Sequence, residues 1–374
     1  MTSYQLQNGL IEADTPVEVG HNSGHFWFSS LHQVGTDALI CAIARTADTA
    51  QGKWPAQLFV SEDAGATWRP DISIESMGHA TIRHDASSTL MMPYELWPDS
   101  PRDMRNGKAM GTMLTKTAAG TLAAVPSEVR FCDFPAPFAQ YHEEELFLLH
   151  SGNILRLADG SLFTTVYGVL EGPEEMRVFA VASNDGGFTW NHRSTVVDNA
   201  VFRAPEGPNE ATVQLLDNGD LLCIYRVSDA WDFNKSYSRD EGRTWSEPLR
   251  MEGMRSVQPR LARLGNGALV LTGGRPGLFL WLCADGRGEQ WDAVNLATHH
   301  NRLVEREGEQ FSEVVDNAEA GADPSTSTSY TGIMPWGSDG VIVTYDRLSN
   351  GWSGAPGPNG DVDRVYSITL KVSI

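Results

Sequence analysis

No stretch of this 374-residue chain approaches the run of about 20 apolar residues that spans a bilayer. The first residues, MTSYQLQNGLIEADTPVEVG, carry neither the basic start nor the apolar run of a secretory leader. Cysteine is scarce: Cys41, Cys132, Cys223 and Cys283 are far apart and form no C-x-x-C pair, which favours buried free thiols over a disulfide framework. These three absences set the expectation of a cytoplasmic protein without membrane contact. Basic charge is also short: 28 Lys and Arg stand against 48 Asp and Glu, a net charge of −20 that repels phosphate backbones and argues against nucleic acid as a partner. Long amphipathic helix patterns are missing as well, which points away from a helical fold.

What is present is glycine and tryptophan. With 36 Gly and 11 Trp, the composition favours short strands joined by tight turns. A length of 374 residues exceeds one ordinary compact core, but repeat architectures escape that limit because each unit buries its face on the next. Two repeats are legible. The first is Ser-x-Asp-x-Gly-x-Thr-Trp, at Ser61-x-Asp63-x-Gly65-x-Thr67-Trp68, again from Ser183 to Trp190, and again from Ser238 to Trp245. A degraded copy with one inserted residue runs from Cys283 through Asp285 and Gly288 to Trp291. Asp and Ser hydrogen-bond nearby backbone, Gly takes a conformation other residues resist, and Trp folds back onto the sheet. Asp63, Asp185 and Asp240 are therefore read as structural.

The second repeat is an apolar strand, a Gly or Asp turn and another apolar strand. It occurs at 31–45, 84–95, 155–168, 213–226, 260–275 and 334–347. Six strand pairs imply an all-β chain, a six-bladed β-propeller forming a single domain over 1–374. A β-sandwich or another all-β repeat is the alternative. The last blade is expected to close by pairing the N-terminal segment with the strand at 364–374. The segments 97–140 and 299–329 fit no hairpin and are read as long loops over one face.

At this point the chain resembles the sialidase (neuraminidase) superfamily, whose propellers carry this turn as the Asp box or BNR repeat. The box marks a fold and not an activity. The family attacks an anomeric carbon that bears a carboxylate. A carboxylate nucleophile would be repelled there, so a neutral tyrosine paired with glutamate attacks instead, while arginine forks bind the substrate carboxylate. By this resemblance Tyr330, in TSTSYTGIMPWG, is the nucleophile, and Glu210, in the Asn209-Glu210 segment, is its partner. Arg226 and Arg275 match the second and third arginines. Tyr345-Asp346 stands where the family has a Tyr-Glu pair that orients the first arginine. That first arginine belongs to an Arg-Ile-Pro segment. The comparable stretch here, His25 to Ser30, holds no arginine, which leaves Arg45 as the candidate substitute. Asp48, on the loop that follows, is the candidate general acid.

Further candidates come from position. His150 precedes the third hairpin as Asn209-Glu210 precedes the fourth, so it is a candidate sugar ligand or base. Trp27 and Trp97 are candidates for stacking on a sugar face, whereas Trp281 reads as core. Arg347 ends a hairpin and reads as a structural ion-pair residue. His299 and His300 are adjacent, which alone makes no metal site. No metal and no cofactor are expected, and no oligomeric state is implied. The expected function is a retaining exo-glycosidase acting on an acidic sugar or glycan. Two alternatives are a polysaccharide lyase on uronic acids, with His150 as base, and a non-catalytic glycan-binding propeller. With one arginine missing, weak activity on ordinary sialosides is expected.

Overall fold

The computed structural model describes residues 1–36, 38–48, 53–100, 103–139, 148–171, 176–228, 231–312, 327–351, 356 and 362–374. Among the described residues the structure is all-β apart from the helix Leu296–Leu303 and one 3-10 turn, Glu307–Glu309. No helix among the described residues is long and apolar enough to cross a membrane.

Three sheets have four antiparallel strands in chain order. The first runs Trp27–Val34, Ala38–Ala44, Ala56–Ser61, Arg69–Ile74. The second begins with Asn209–Leu215 and Leu221–Arg226, the third with Val257–Arg263 and Leu269–Gly274. The second strand of each is buried along its length, because sheets cover both of its faces. That is why ALICAIA, LLCIYR and LVLTGG read as unbroken apolar or small-residue runs rather than alternating ones. A fourth sheet holds Thr331–Trp336, Gly340–Arg347 and Asp363–Ser373, and N-terminal strands complete it. Leu10 pairs with Ser373 and Ala13 with Leu370, while Val17 to Asn22 run along the same strand from Ser367 to Asp363. This is the end-to-start closure expected from sequence.

The remaining strands form one eleven-stranded sheet rather than two separate units. Leu122–Cys132 pairs in parallel with Thr189–Asp198, placing Phe131 opposite Trp190, and so fuses the second and third hairpin regions. This corrects the expectation of a loop over 97–140. That segment contains the long hairpin Asp103–Lys116 and Leu122–Cys132, with Lys116 opposite Leu122. Leu122–Cys132 exposes most of its residues and carries Pro126, so no apolar alternation betrays it. The expected loop at 299–329 is corrected in part: the helix Leu296–Leu303 enters it, with Asn295 as N-cap accepting from the Thr298 N–H. Residues 313–326 of that segment lie outside the described residues.

The first strands of the sheets stand side by side. Leu162–Leu170 neighbours Asn209–Leu215, which neighbours Val257–Arg263, then Thr331–Trp336, then Trp27–Val34, then Thr81–Arg83. Hydrogen bonds join neighbouring sheets, including Thr272 to Thr331 at 2.9 Å and Leu261 N–H to Thr212 Oγ1 at 3.2 Å.

The repeated turns share one bonding scheme. Ser61 Oγ donates to Asp63 Oδ1 at 2.8 Å and accepts from Gly65 N–H at 2.8 Å; Asp63 accepts from Thr67 N–H and Oγ–H. The copies at Ser183 and Ser238 repeat the Ser–Asp–Gly bonds and the Thr N–H bond. In the degraded copy Cys283 Sγ takes the serine's place, donating to Asp285 at 3.0 Å and accepting from Gly288 N–H at 3.2 Å. Gly65, Gly187 and Gly242 have φ of 84°, 95° and 82°, a region that disfavours any side chain. The indoles tie neighbouring sheets together: Trp68 donates to Ser367 at 2.8 Å and Trp245 to Ser194 at 3.1 Å. Asp240 accepts four hydrogen bonds in its turn, from Ser238 Oγ, Arg243 N, Thr244 N and Thr244 Oγ1. Asp240→Ala, by analogy with loss of a helix cap, should cost about 1 kcal/mol. It should lower the urea midpoint without changing the slope of the transition.

None of the four cysteines is in a disulfide, and Cys41, Cys223 and Cys283 are buried.

Candidate functional site

The site is built at one end of the adjoining inner strands, where three sheets carry the same irregularity. Register slips between Trp27 and Ser30, between Asn209 and Thr212, and between Val257 and Arg260. The residue that opens each bulge is left-handed although it is not glycine: Phe28 at φ 52°, Glu210 at 45° and Gln258 at 39°. Such backbone costs about 1–3 kcal/mol each and persists where surrounding contacts over-determine it. Bulges re-aim side chains beside functional sites. Here they gather Phe28, Glu210 and Gln258 from three different sheets.

Glu210 is the hub. Its Oε1 accepts the hydroxyl proton of Tyr330, and its Oε2 accepts the Gln258 N–H at 2.8 Å and lies 2.9 Å from Arg226 Nε. Arg226 ends its strand opposite Asn209, donates to Asn209 Oδ1 at 3.0 Å and pairs with Glu206. The arginine is thus clamped between two carboxylates, which fixes the plane of Glu210.

Tyr330 sits just before the strand Thr331–Trp336 and is 7% exposed. A buried carboxyl group, Asp346, sets its position. Asp346 accepts from Ser329 N–H at 2.6 Å, from Thr328 Oγ1 at 3.2 Å, from Ser329 Oγ, and from Phe28 N–H at 3.0 Å. One side chain therefore ties the Tyr330 segment to the Phe28 bulge, and the Phe28 and Tyr330 rings meet at 4.5 Å.

The surroundings are aromatic and polar. His79 lies 5.8 Å from the Tyr330 ring and 5.3 Å from Tyr94; Trp54 stacks on Tyr94 at 4.4 Å, and the Tyr94 and Tyr167 hydroxyls are 3.2 Å apart. Burial pushes the Tyr330 phenol well above its ordinary pKa, and the charges of Glu210 and Asp48 push the same way. At neutral pH Tyr330 is a neutral phenol donating to a carboxylate: an uncharged nucleophile with an adjacent base.

The other expected residues fall as follows. Asp48 is exposed, and its charge acts on both Tyr330 and Tyr94, which places it at the same end of the strands. Arg275 is buried and left-handed, one residue beyond Gly274, which pairs with Val257. It thus occupies in its sheet nearly the place that Arg226 occupies in the preceding one. Arg45 does not join this group: it is exposed and lies over the Phe26 ring at 5.7 Å, on a cluster with Phe59 and Val365. Trp27 is 1% exposed, donates to the Thr46 carbonyl at 2.9 Å and stacks under Phe28, so the aromatic that meets Tyr330 is Phe28 instead.

His150 is fully buried, its Nε2 3.0 Å from Thr164 Oγ1, and burial with the Arg260 charge holds its pKa down to about 3. The histidine against Tyr330 is His79, not His150. His299 bonds Tyr4 and the Asp14 carbonyl, and His300 bonds Tyr345 and the Glu309 carbonyl, so the adjacent pair diverges. Among the described residues no group of three or more His, Cys, Asp or Glu is placed to hold a metal ion. Arg347 donates to the Gln310 carbonyl and covers Phe311, a structural role. Trp97 lies in the strand Glu95–Ser100, and Trp281 packs in the core.

Sequence reasoning missed His79, Tyr94, Tyr167 and Gln258. For Gln258 a signal existed: it precedes its hairpin much as Glu210 precedes the one before. For the tyrosines none did, because a tyrosine near a strand end is ordinary in β proteins.

No family model and no curated protein matches the chain. Solved structures do. A protein of unknown function from Dyadobacter fermentans aligns over 97% of this chain and 99% of its own, at TM-score 0.65 and 15% identity. An α-L-arabinanase from Penicillium chrysogenum aligns over 95% and 98%, at TM-score 0.57 and 12% identity. A Hadza microbial sialidase aligns over 96% and 68%, at TM-score 0.52 and 15% identity. At these identities the likeness is one of fold.

Proposed function

We propose that the chain is a six-bladed β-propeller forming one domain, and that it is a retaining glycoside hydrolase for an acidic sugar. The observation that carries this reading is the buried Tyr330 hydroxyl donating to Glu210, with Arg226 and the Gln258 N–H holding the carboxylate in place. The fold likeness to a sialidase and an arabinanase supports the same reaction class. In the proposed step Glu210 takes the Tyr330 proton as the phenolic oxygen bonds to the anomeric carbon. The glycosidic bond breaks, and the leaving oxygen takes a proton from Asp48. Water then attacks the glycosyl-tyrosine and gives up its proton to the Asp48 carboxylate, while Glu210 returns a proton to Tyr330. Arg226 serves here to orient Glu210, and Arg275 is assigned to the substrate carboxylate.

The test is the stereochemistry of the first-formed product, followed by NMR on a panel of aryl glycosides of acidic sugars. Retention is expected; inversion would remove the covalent tyrosine step. A lyase reading rests on His150, which is fully buried with its Nε2 against Thr164. Unsaturated, ultraviolet-absorbing product from a uronate polymer would restore it.

Substrate range follows from Phe28, which meets Tyr330 from the stretch where the sialidase resemblance calls for an arginine. A charge-assisted contact contributes about 1.5–3 kcal/mol, so its loss weakens a carboxylate ligand roughly ten- to a hundredfold. An aromatic there favours an apolar sugar face. The expected kcat/KM on a synthetic sialoside is therefore below about 10⁴ M⁻¹s⁻¹, with a differently substituted acidic sugar turned over faster. A sialoside that proves the best of the panel would contradict this assignment.

A further inference from the structure

The same inner strands line a half-open cavity of about 430 Å³. Its lining comes from Trp27–Val34, Thr81–Arg83, the segment at 153–155, Asn209–Leu215, Val257–Arg263 and Thr331–Trp336. The functional site gathers at the starts of these strands, around Phe28, Glu210 and Gln258. The cavity is lined by their later residues, among them His32, Gln214 and Arg263. It therefore opens toward the other end of the same strands.

Its charge is the opposite of the protein's. The chain carries a net −20, yet the charged residues lining this cavity are Arg83, Arg260 and Arg263, with no Asp or Glu among them. Arg260 is 4% exposed. It donates to the carbonyls of Ser151 and His79, and its Nε finds no acceptor among the described residues. Carbonyl dipoles offset a buried guanidinium only in part, and a buried cation is ordinarily paired with an anion. The neighbouring histidines add no charge of their own, since burial and Arg260 itself disfavour the cationic form of His32 and His79. Both ring nitrogens of His79 and the Nε of Arg263 are likewise buried without partners among the described residues. Arg263 does pair through its terminal nitrogen with Asp217, a residue that does not line the cavity.

We propose that this cavity binds a small oxyanion, with Arg260 at its floor and Arg83 and Arg263 toward its mouth. Guanidinium forks match the planar or tetrahedral oxygens of carboxylate and phosphate. The cavity has room for such an ion with part of its hydration shell, since one water occupies about 30 Å³ of liquid. His79 lines this cavity and also faces Tyr330, so the two sites adjoin, but the anion site does not depend on the role given to Tyr330.

The test is titration of the full chain with sodium phosphate, sodium acetate and sodium chloride at constant ionic strength, read by calorimetry and by thermal unfolding. Binding to the folded state raises the melting temperature in a saturable manner. Phosphate or acetate should do so at concentrations at least tenfold below chloride; the two arms separate an inorganic ion from a carboxylate as the preferred ligand. Arg83→Gln and Arg263→Gln, both at less buried positions, should each weaken binding by about tenfold. Arg260→Gln should abolish it if that variant folds. Equal behaviour of all three salts would overturn the proposal, as would saturable binding unchanged in both Arg83→Gln and Arg263→Gln. Loss of the effect in Arg275→Gln, with both cavity variants unaffected, would move the ion to the substrate pocket and overturn it equally.

Discussion

Tyr330→Phe should lower kcat by at least about 10³-fold on the best acidic glycoside while leaving the melting temperature within about five degrees of the wild type. The ring stays, with its contacts to Phe28 and His79. Only the hydroxyl is lost, and Glu210 keeps the Gln258 N–H and Arg226 as partners. A hydrogen bond to a charged group contributes about 1.5–3 kcal/mol net, which in a chain of this length moves the melting temperature by only a few degrees. Catalysis depends on it, because that oxygen is the one proposed to form the covalent intermediate. Glu210→Gln removes the base and should cost about 10²–10⁴ in kcat. Combined, the two substitutions should cost little more than the worse one alone, since each disables the same step. Single-turnover kinetics and circular dichroism on the three variants check this. More than a tenth of wild-type kcat in Tyr330→Phe would end the nucleophile assignment.

A second large effect is expected at Asp346, in stability rather than in chemistry. Asp346→Ala strips the acceptor from four buried donors: Phe28 N–H, Ser329 N–H, Ser329 Oγ–H and Thr328 Oγ–H. Each unmet donor costs about 1–3 kcal/mol, and partial relaxation brings the total to about 3–5 kcal/mol. The loss carries a pH signature. Burial raises the Asp346 carboxyl to about 6, against about 3.9 in an unfolded chain. The folded state then binds the proton more tightly, so the wild type loses stability as pH rises from about 4 through 6, and is level above. The variant lacks this group, so its deficit should be larger at pH 4.5 than at pH 7, by roughly 2 kcal/mol at 1.36 kcal/mol per pH unit. Urea unfolding of both proteins at the two pH values measures it. A deficit that is the same at both would show that Asp346 stays ionised on its four donors. Because the same carboxylate joins Phe28 to Tyr330, turnover should fall as well.

The all-β class, the hairpins and the repeated turns were legible because each rests on near neighbours. The Asp240 turn closes within seven residues, from Ser238 to Thr244, so its residue types suffice to specify it. Closure of the last sheet was legible too, since an unpaired apolar strand at 364–374 needs a partner and the N-terminal segment was unassigned. The long hairpin at 103–132 was not. It is stabilised by pairing with Ser88–Met91 on one edge and Thr189–Asp198 on the other, rather than by a buried face of its own.

At the site, the amino-acid sequence by itself determined which residues were chemically suited: Tyr330, Glu210, Arg226 and Arg275 each stand at a hairpin boundary. Tertiary structure decided which of them meet. Glu210 and Tyr330 lie 120 positions apart and touch only because their inner strands are separated by one other, Val257–Arg263, whose bulge lends the Gln258 N–H. Arg226 and Arg45 look alike as strand-ending arginines. One turns inward between Glu206 and Glu210, the other outward over Phe26, since side-chain direction at a strand end depends on the bulge and the partner beside it. His79 and Arg260 are single residues in unremarkable segments. Their burial against one another, and the cationic cavity they floor, exist only once the inner strands converge, because charge and desolvation are properties of the assembled neighbourhood and not of any residue type.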